Sequence, residues 1–526
     1  MRERVTKGLL LLVPFGLAVM TACGSATLTT PIVGAAVKVD RDSAVLAHQL
    51  EVPTLFAERN DPNLVYLSGC ELRTGTARFF TSTDHGYTWT EGTAPSLAPY
   101  TDCGPGSGQP LNFRTTMAEG SDGTLFLAYA AENPQASGPR NALLARSTDR
   151  GHNWTVTAVD APSQPAAGSQ PEQDFEPHVA VDPSNAKHVV VVWRHSIEHT
   201  PTRPYIATST DGGATFSQPA MMFDKAMGFD PPYPVIVNGT LAVSWHETSS
   251  LPSSSNFSSS DKILFSTSSD NGKTWTDTQV ATGIDADTPL LTYDTTRNRY
   301  DMYWDANGNS NPSASVADLD IFFSSSADGK SWTSPVRVND DPRNTGRDQE
   351  FPVLSLTPSG RTDMIWYDNR NDPFPPAGPG NVGNREDVYF SSSADGGKTW
   401  SSNIRLNDVT INRTIGTWNN QYYIVVPPAL VASDGADIAV WSDTRNGDDV
   451  TNAQDLYAAP IAYDASTIPP GLRGASTGGY GSGDLALVGV VVGVTGILVG
   501  AGVAMLLMAL RRRRAAEAAP TTPAAR

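Results

Sequence analysis

Side chains able to bind or transform a ligand gather in short stretches that follow β-rich runs. They are Asn112 and Arg114; Glu172, Asp174 and Glu176; Arg194 and His195; Asp230; His246 and Glu247; Asp285 and Asp287; Asp305; Arg347, Asp348 and Glu350; Asp368 and Arg370; Tyr422 and Tyr423; and Asp443 and Arg445. A guanidinium fork can hold a carboxylate through two parallel N–H bonds, and carboxyls can give and take protons. Two of the arginines are copies of one pattern, Trp366-Tyr-Asp-Asn-Arg370 and Trp441-Ser-Asp-Thr-Arg445, each followed by an Asp at the next strand, Asp387 or Asp455. A residue repeated in this way more often makes a structural ion pair than a catalyst. Arg114 has no such copy. The histidines and cysteines show no metal-ligand spacing, so neither a metal nor a cofactor is expected. Phosphate loops, Ser-nucleophile elbows and Asp-x-Asp-x-Asp-Gly calcium loops are missing from the sequence.

The elements that must position these side chains repeat. The octet Ser393-Ala-Asp-Gly-Gly-Lys-Thr-Trp400 has copies at Ser82–Trp89, Ser147–Trp154, Ser209–Phe216 and Ser268–Trp275, and a shortened one at Ser326–Trp332. Its aspartates are Asp84, Asp149, Asp211, Asp270, Asp328 and Asp395, spaced near a constant period, which marks a repeat architecture. The octet sits between β-rich runs, so it reads as a hairpin turn. Asp accepts N–H bonds inside the turn and Gly supplies a backbone position that a Cβ disfavours. Each repeat reads as four strands. The second strands end alike at Trp193, Trp245, Trp304, Trp366 and Trp441, with Leu64-Val-Tyr66 and Leu125-Phe-Leu-Ala-Tyr129 in the same place, giving seven. The seventh repeat lacks an octet and an outer strand. Val37-Lys-Val-Asp40 copies the outer strands Val336-Arg-Val-Asn339 and Ile404-Arg-Leu-Asn407, so the N-terminal segment is expected to complete the last repeat and close the ring.

The octet resembles the Asp-box, or BNR repeat, of sialidases and other β-propellers. The resemblance implies an all-β fold, a single seven-bladed β-propeller over residues 35–464, with a six-bladed sialidase-like ring as the alternative. It also implies that the six aspartates are fold staples away from any active site. Phe113-Arg-Thr-Thr116 and Asp122-Gly-Thr-Leu-Phe-Leu-Ala128 look like the opening strand pair of sialidases. By that resemblance Arg114 is the first of three arginines that bind the sialic acid carboxylate; the resemblance does not assign the other two, for which Arg347 and Arg370 are the candidates, and Tyr422 or Tyr423 is placed to be the nucleophile. The family's general acid, an Asp after the second strand, has no match in Ala131–Arg140, where Glu132 is the sole carboxyl. The implied activity is glycoside hydrolysis of terminal sialic acids or related glycans, with a glycan or glycoconjugate as partner. The alternative is a non-catalytic surface propeller that binds a glycan or a protein.

The formal net charge of the 526-residue chain is −18, which argues against general nucleic-acid binding. Residues 1–23 read as an export signal: Arg2, Arg4 and Lys7 precede an apolar run. Met20-Thr-Ala-Cys23 resembles a bacterial lipobox and implies lipidation of Cys23, with ordinary signal cleavage as the alternative. Residues 465–483 read as a flexible linker and 485–510 as a transmembrane helix, uncharged and long enough for a ~30 Å core. Arg511–Arg514 opens the tail 511–526 and places it in the cytoplasm, with the propeller outside. Cys70 and Cys103 are then expected to form a disulfide.

Overall fold

The computed structural model describes residues 30–468, apart from 41–49, 60, 72–75, 97–115, 133–139, 161–172, 197–201, 226–231, 248–260, 309–317, 374–384, 416–426, 449–450 and 452. The export signal with Cys23, the linker beyond residue 468, the apolar run and the tail lie outside the described residues. Among the described residues no helix is long and apolar enough to cross a membrane.

Seven antiparallel blades form a ring. Blade 1 is Leu50–Glu58, Asp61–Glu71, Thr76–Ser82 and Thr90–Glu91. Blade 2 is Thr116–Glu119, Leu125–Glu132, Arg140–Ser147 and Thr155–Ala158. Blade 3 is Gln173–Asp182, Asn185–Ser196, Arg203–Ser209 and Ala220–Met221. Blade 4 is Tyr233–Val237, Thr240–Glu247, Asp261–Ser268 and the first half of Thr276–Asp294. The second half of that long strand opens blade 5, which continues through Arg299–Asn307, Leu319–Ser326 and Val336–Arg337. Blade 6 is Gln349–Leu356, Thr362–Asp368, Arg385–Ser393 and Ile404–Arg405. Blade 7 is Ala429–Val431, Ala436–Asp443 and Asp455–Ala462. The ring therefore has seven blades, which removes the six-bladed alternative.

The N-terminal segment supplies the missing edge of blade 7. Val37 pairs with Ala458 and Lys38 with Tyr457, while Ile32 and Val33 pair with Ala462 and Ile461. The Val39 amide donates to the Leu456 carbonyl at 2.9 Å. Val33 and Val39 are buried.

The core is a circle of layers between blades. Alternate residues of each second strand face opposite neighbours: Val189, Val191 and Trp193 pack on Phe126 and Leu144 of blade 2, and Val190 and Val192 pack on Leu241 and Val243 of blade 4. Both faces are buried, so these strands read as unbroken apolar runs instead of alternating ones. Tyr66 and Phe79 meet Leu125 at one seam, and Ile365, Tyr367 and Phe390 meet Leu430 and Trp441 at another.

The Asp-boxes join blade to blade. In the first, Asp84 accepts from the Thr88 amide at 2.8 Å and the Thr88 hydroxyl at 2.6 Å, and Ser82 Oγ accepts from the Gly86 amide at 2.8 Å. Asp211, Asp270 and Asp395 repeat the pattern with Thr215, Thr274 and Thr399, and Asp149 repeats it with Asn153. These bonds favour the carboxylate and hold Asp149 and Asp270 down at about 2. The glycine that closes each turn lies against a side chain of the preceding blade. A Cβ on Gly397, at φ +80°, would meet Phe323, and one on Gly151, at φ +83°, would meet Phe79. The octet tryptophans complete the clamp: Trp154 meets Phe79 edge-on at 5.2 Å, Trp332 meets Phe265 at 5.2 Å, and Trp400 meets Phe323 at 5.6 Å.

Cys70 is buried and disulfide-bonded. Its expected partner, Cys103, lies outside the described residues.

Deleting residues 30–40 exposes the edge of Asp455–Ala462 and removes two buried valines. Those side chains alone contribute about 3–6 kcal/mol, so the truncated protein is expected to melt several degrees lower and to be cut faster by protease in blade 7. An unchanged melting curve would show that the ring closes by other means.

Candidate functional site

Strand direction sets the two faces. The Asp-boxes and the first-to-second turns share one face. The second-to-third loops and the blade-to-blade connections share the other, the mouth. Among the described residues, Asp174, His195, Asp305, Asp348, Asp368, Arg370, Asp443 and Arg445 are carried toward this second face by the ends of second strands, the starts of inner strands and the turns beside them.

Blade 6 holds the densest group. Its inner strand bulges between Glu350 and Val353, with Phe351 at φ 56° before Pro352. The Phe351 amide donates to Asp305 of blade 5 at 3.1 Å, which fixes the bulge to its neighbour. Glu176 before Pro177 and Thr288 before Pro289 show the same positive φ at equivalent bulges. Beside the bulge Arg413 is fully buried between two glutamates: Nη2 lies 3.3 Å from Glu350 and Nε 2.5 Å from Glu386. Arg413 follows the short strand Ile411–Asn412, which pairs with Arg385 and Glu386. Burial pushes Glu386 up to about 8 and Asp348 up to about 7 against the pull of Arg413, the neighbouring carboxylates adding to the rise. One buried guanidinium faces Glu350 and Glu386, with Asp348 adding its field. Ionisation of one carboxyl balances it, and further negative charge is disfavoured. As placed, this group holds a proton and a fixed charge behind the mouth and is closed to solvent.

Arg370 and Arg445 are tied into the scaffold. Arg370 donates to Asp368 from Nε and Nη2, to Asp340 of blade 5 at 2.7 Å and to Asn403 at 2.9 Å, and its guanidinium lies 4.1 Å from the Tyr389 ring centroid. Arg445 copies it with Asp443, Asp408 of blade 6 and Tyr457. Trp366 and Trp441 donate their indole N–H groups to the same Asp368 and Asp443 at 2.9 Å. The repeated Trp-x-Asp-x-Arg pattern is thus a blade-to-blade tie. The hydrogen-bonding edges of Arg370 are occupied by Asp368, Asp340 and Asn403.

Arg347 lies half-buried in the connection into blade 6, its carbonyl accepting from Gln349 at 2.9 Å. In that connection Asp318 accepts from the Asn344, Thr345 and Gly346 amides at 2.6–2.9 Å. Arg114, Tyr422 and Tyr423 lie outside the described residues, so the expected convergence of three arginines and a tyrosine is not on view. The sequence reading missed Arg413 and Glu386. Their contacts span 63 and 27 positions, and no local motif marks them. The one available signal was position, since both fall in segments that lead to the mouth.

A second group joins blades 2 and 3. Asp174 is buried and accepts from Trp193 Nε1 at 2.8 Å, from the Ala142 amide at 3.1 Å and from His195 Nδ1 at 2.8 Å. In blades 6 and 7 the indole N–H finds an Asp two residues after Trp. In blade 3 that position is His195, and Asp174 of the inner strand takes the indole instead.

Residues 34–230 match a BNR repeat-like domain. That match spans 197 of the 526 residues, from the closing N-terminal segment through blade 3. No curated protein matches the chain. Solved structures are similar at low identity. A Hadza microbial sialidase is 15% identical, with 66% of this chain and 64% of that one covered and a TM-score of 0.41. The chain thus spans less than two thirds of that sialidase. A GH93 α-L-arabinofuranosidase of Fusarium graminearum is 10% identical, covering 82% and 98%, with a TM-score of 0.44. A protein of unknown function from Dyadobacter fermentans is 12% identical, covering 81% and 98%, with a TM-score of 0.42.

The charged groups of blade 6 can be tested directly. Arg370→Ala strands the buried Asp368 and is expected to cost about 3 kcal/mol in urea unfolding; a loss below a few tenths would end its role as a tie. Glu386 has a folded pKa of about 8 against an ordinary 4.5, so the folded state binds the extra proton between those values. Its stabilising contribution is full below pH 4.5 and is lost as pH rises through 8. Stability is therefore expected to fall from pH 5 to pH 8, with a shallower slope in Glu386→Gln. Identical slopes in chemical denaturation across that range would contradict the assignment.

Proposed function

We propose that the BNR propeller engages glycans at its mouth, as a sialidase-like protein held at the cell membrane with the propeller outside the cytoplasm. The observation that carries this reading is the BNR ring itself, whose blade connections bring arginines and carboxyls to one face in blades 2, 3, 5, 6 and 7. In this reading Arg114 grips the carboxylate of a terminal sialic acid, Arg347 assists, and Tyr422 or Tyr423 attacks the anomeric carbon; a neutral nucleophile avoids repulsion by the substrate's own carboxylate. The tether is the apolar run 485–510, with Arg511–Arg514 inside, joined to the ring by 465–483; lipidated Cys23 is a second anchor.

A non-catalytic propeller that binds a glycan or protein partner is the second reading. The commitment of Arg370 to Asp368, Asp340 and Asn403 favours it, because a guanidinium used as a tie is withdrawn from ligand binding.

Full-length protein from membranes is tested with a fluorogenic sialoside and with immobilised sialylated glycans. Arg114→Ala is expected to lower kcat/KM roughly a hundredfold, as loss of a charge-assisted contact of 2–3 kcal/mol requires, with folding intact. Binding without turnover selects the second reading. Neither binding nor turnover, with the protein folded, overturns sialic acid recognition.

A further inference from the structure

The ends of the outer strands are equivalent in five blades, because one amide in each donates to the third strand: Val159 to Ala142, Met222 to Pro204, Val338 to Ile321, Leu406 to Val388 and Val39 to Leu456. The next residue is Phe223 in blade 3 and a polar one, Asp160, Asn339, Asn407 or Asp40, in the other four. Asn339 and Asn407 each accept a third-strand amide, from Ile321 and Val388, and donate Nδ2 to Asp320 and Asp387. A cation stands two residues before each of three of them. Arg337 pairs with Asp320 and Asp341, Arg405 with Asp387, and Lys38 with Asp40 and Asp455. Blade 2 departs from this plan. Ala158, exposed, occupies the cation's place, and Asp160 takes the place of the donating amide. The inner strand of the following blade brings Asp174 where blade 6 has Gln349, and the second strand brings His195 where blade 6 has Asp368.

The result is two carboxylates and one imidazole, each offering a ligand atom, all within 4.8 Å of one another. Asp174 and His195 are buried and Asp160 is half-buried, so one side opens to water. Trp193 Nε1 and the Ala142 amide hold Asp174 in place, as outer partners hold metal ligands.

We propose that Asp160, Asp174 and His195 form a divalent metal site at the seam of blades 2 and 3. The ion supplies there the positive charge that Arg337, Arg405 and Lys38 supply in blades 5, 6 and 7. One nitrogen and carboxylate oxygens suit a first-row ion such as zinc better than calcium, which takes 6–8 oxygens. Bonds of about 2.1 Å place ligand atoms roughly 3–4 Å apart, so side-chain shifts of less than about 1 Å assemble the site. His195 Nδ1 lies 2.8 Å from Asp174 Oδ1. A metal at Nδ1 takes the place of the proton there, and the neutral imidazole then carries its proton on Nε2.

Full-length protein, stripped with chelator and dialysed, is titrated with zinc. Metal content and melting temperature are read, and cobalt is added separately for its visible bands. One zinc per chain is expected, with a higher melting temperature and cobalt bands of a nitrogen-oxygen site. Asp160→Asn and His195→Gln should each weaken zinc binding at least about tenfold. Ala158→Arg restores the charge plan of the other blades; it should abolish binding and retain the fold, which keeps the test sharp if His195→Gln misfolds. Failure of stripped wild-type protein to bind zinc overturns the proposal. So does zinc binding that survives both Asp160→Asn and Ala158→Arg. Neither outcome bears on sialoside recognition, which is measured separately.

Discussion

The ring depends on one close approach, that of each Asp-box glycine to a side chain of the blade before it. Gly151 rests on Phe79, Gly213 on Leu144, Gly272 on Ile206, Gly329 on Phe265, Gly397 on Phe323 and Gly86 on Ile438. The Asp and Ser of the octet hold the turn that presents the glycine at positive φ, where a side chain is disfavoured for two reasons at once. The spacing between blades is set at this face, and the second strands then meet as apolar layers with both sides covered. Arginines reinforce the same joint: Arg146 donates to the Gly212 carbonyl at 3.2 Å and Arg299 to that of Gly396 at 2.7 Å. Blade 7 has no octet to offer blade 6. At that seam Arg361 pairs with Asp363 and Asp437 and stacks on Tyr463, so a charged tie stands in for the missing clamp.

The opposite face follows another rule. Its strand ends carry many carboxyls, and among the described residues those of blades 5 and 6 are balanced locally by a cation or an amide. Blade 5 uses Arg337 and Asn339; blade 6 uses Arg405, Asn407, Arg370 and the enclosed Arg413. Burial raises the buried Glu386 and Asp348 toward protonation in the same setting. Among the described residues Arg337, Arg370, Arg405, Arg413 and Arg445 are all paired, and ligand-binding groups must be sought among side chains that the blade repeat does not duplicate.

The fold was legible because its information is local and repeated. The octets, the seven second strands and the copy of the outer-strand sequence at Val37–Asp40 gave the blade count and the closing pairing before any coordinates. The repeat also sorted the arginines: a copied Arg370 is a tie, as its twin Arg445 shows. What the sequence did not reveal is contact between unlike repeats. Arg413 meets Glu350 across 63 positions, and Asp160, just past the outer strand of blade 2, meets Asp174 and His195 from two strands of blade 3. Such groups carry no spacing signature. They emerge only when strand register aligns the blades and shows where one departs from the rest.

The closing strand has a mechanical consequence. Ile32 sits beside Ala462, so the two ends of the described chain leave side by side from blade 7, on the Asp-box side. A pull that separates those ends loads the Ile32–Ala462 and Val33–Ile461 pairs first and in succession, so the strand peels at low force. A pull applied to both ends in the same direction leaves that ladder unloaded, and the mouth then points away from whatever holds the base. The seam is thus weak to one direction of tension and indifferent to the other.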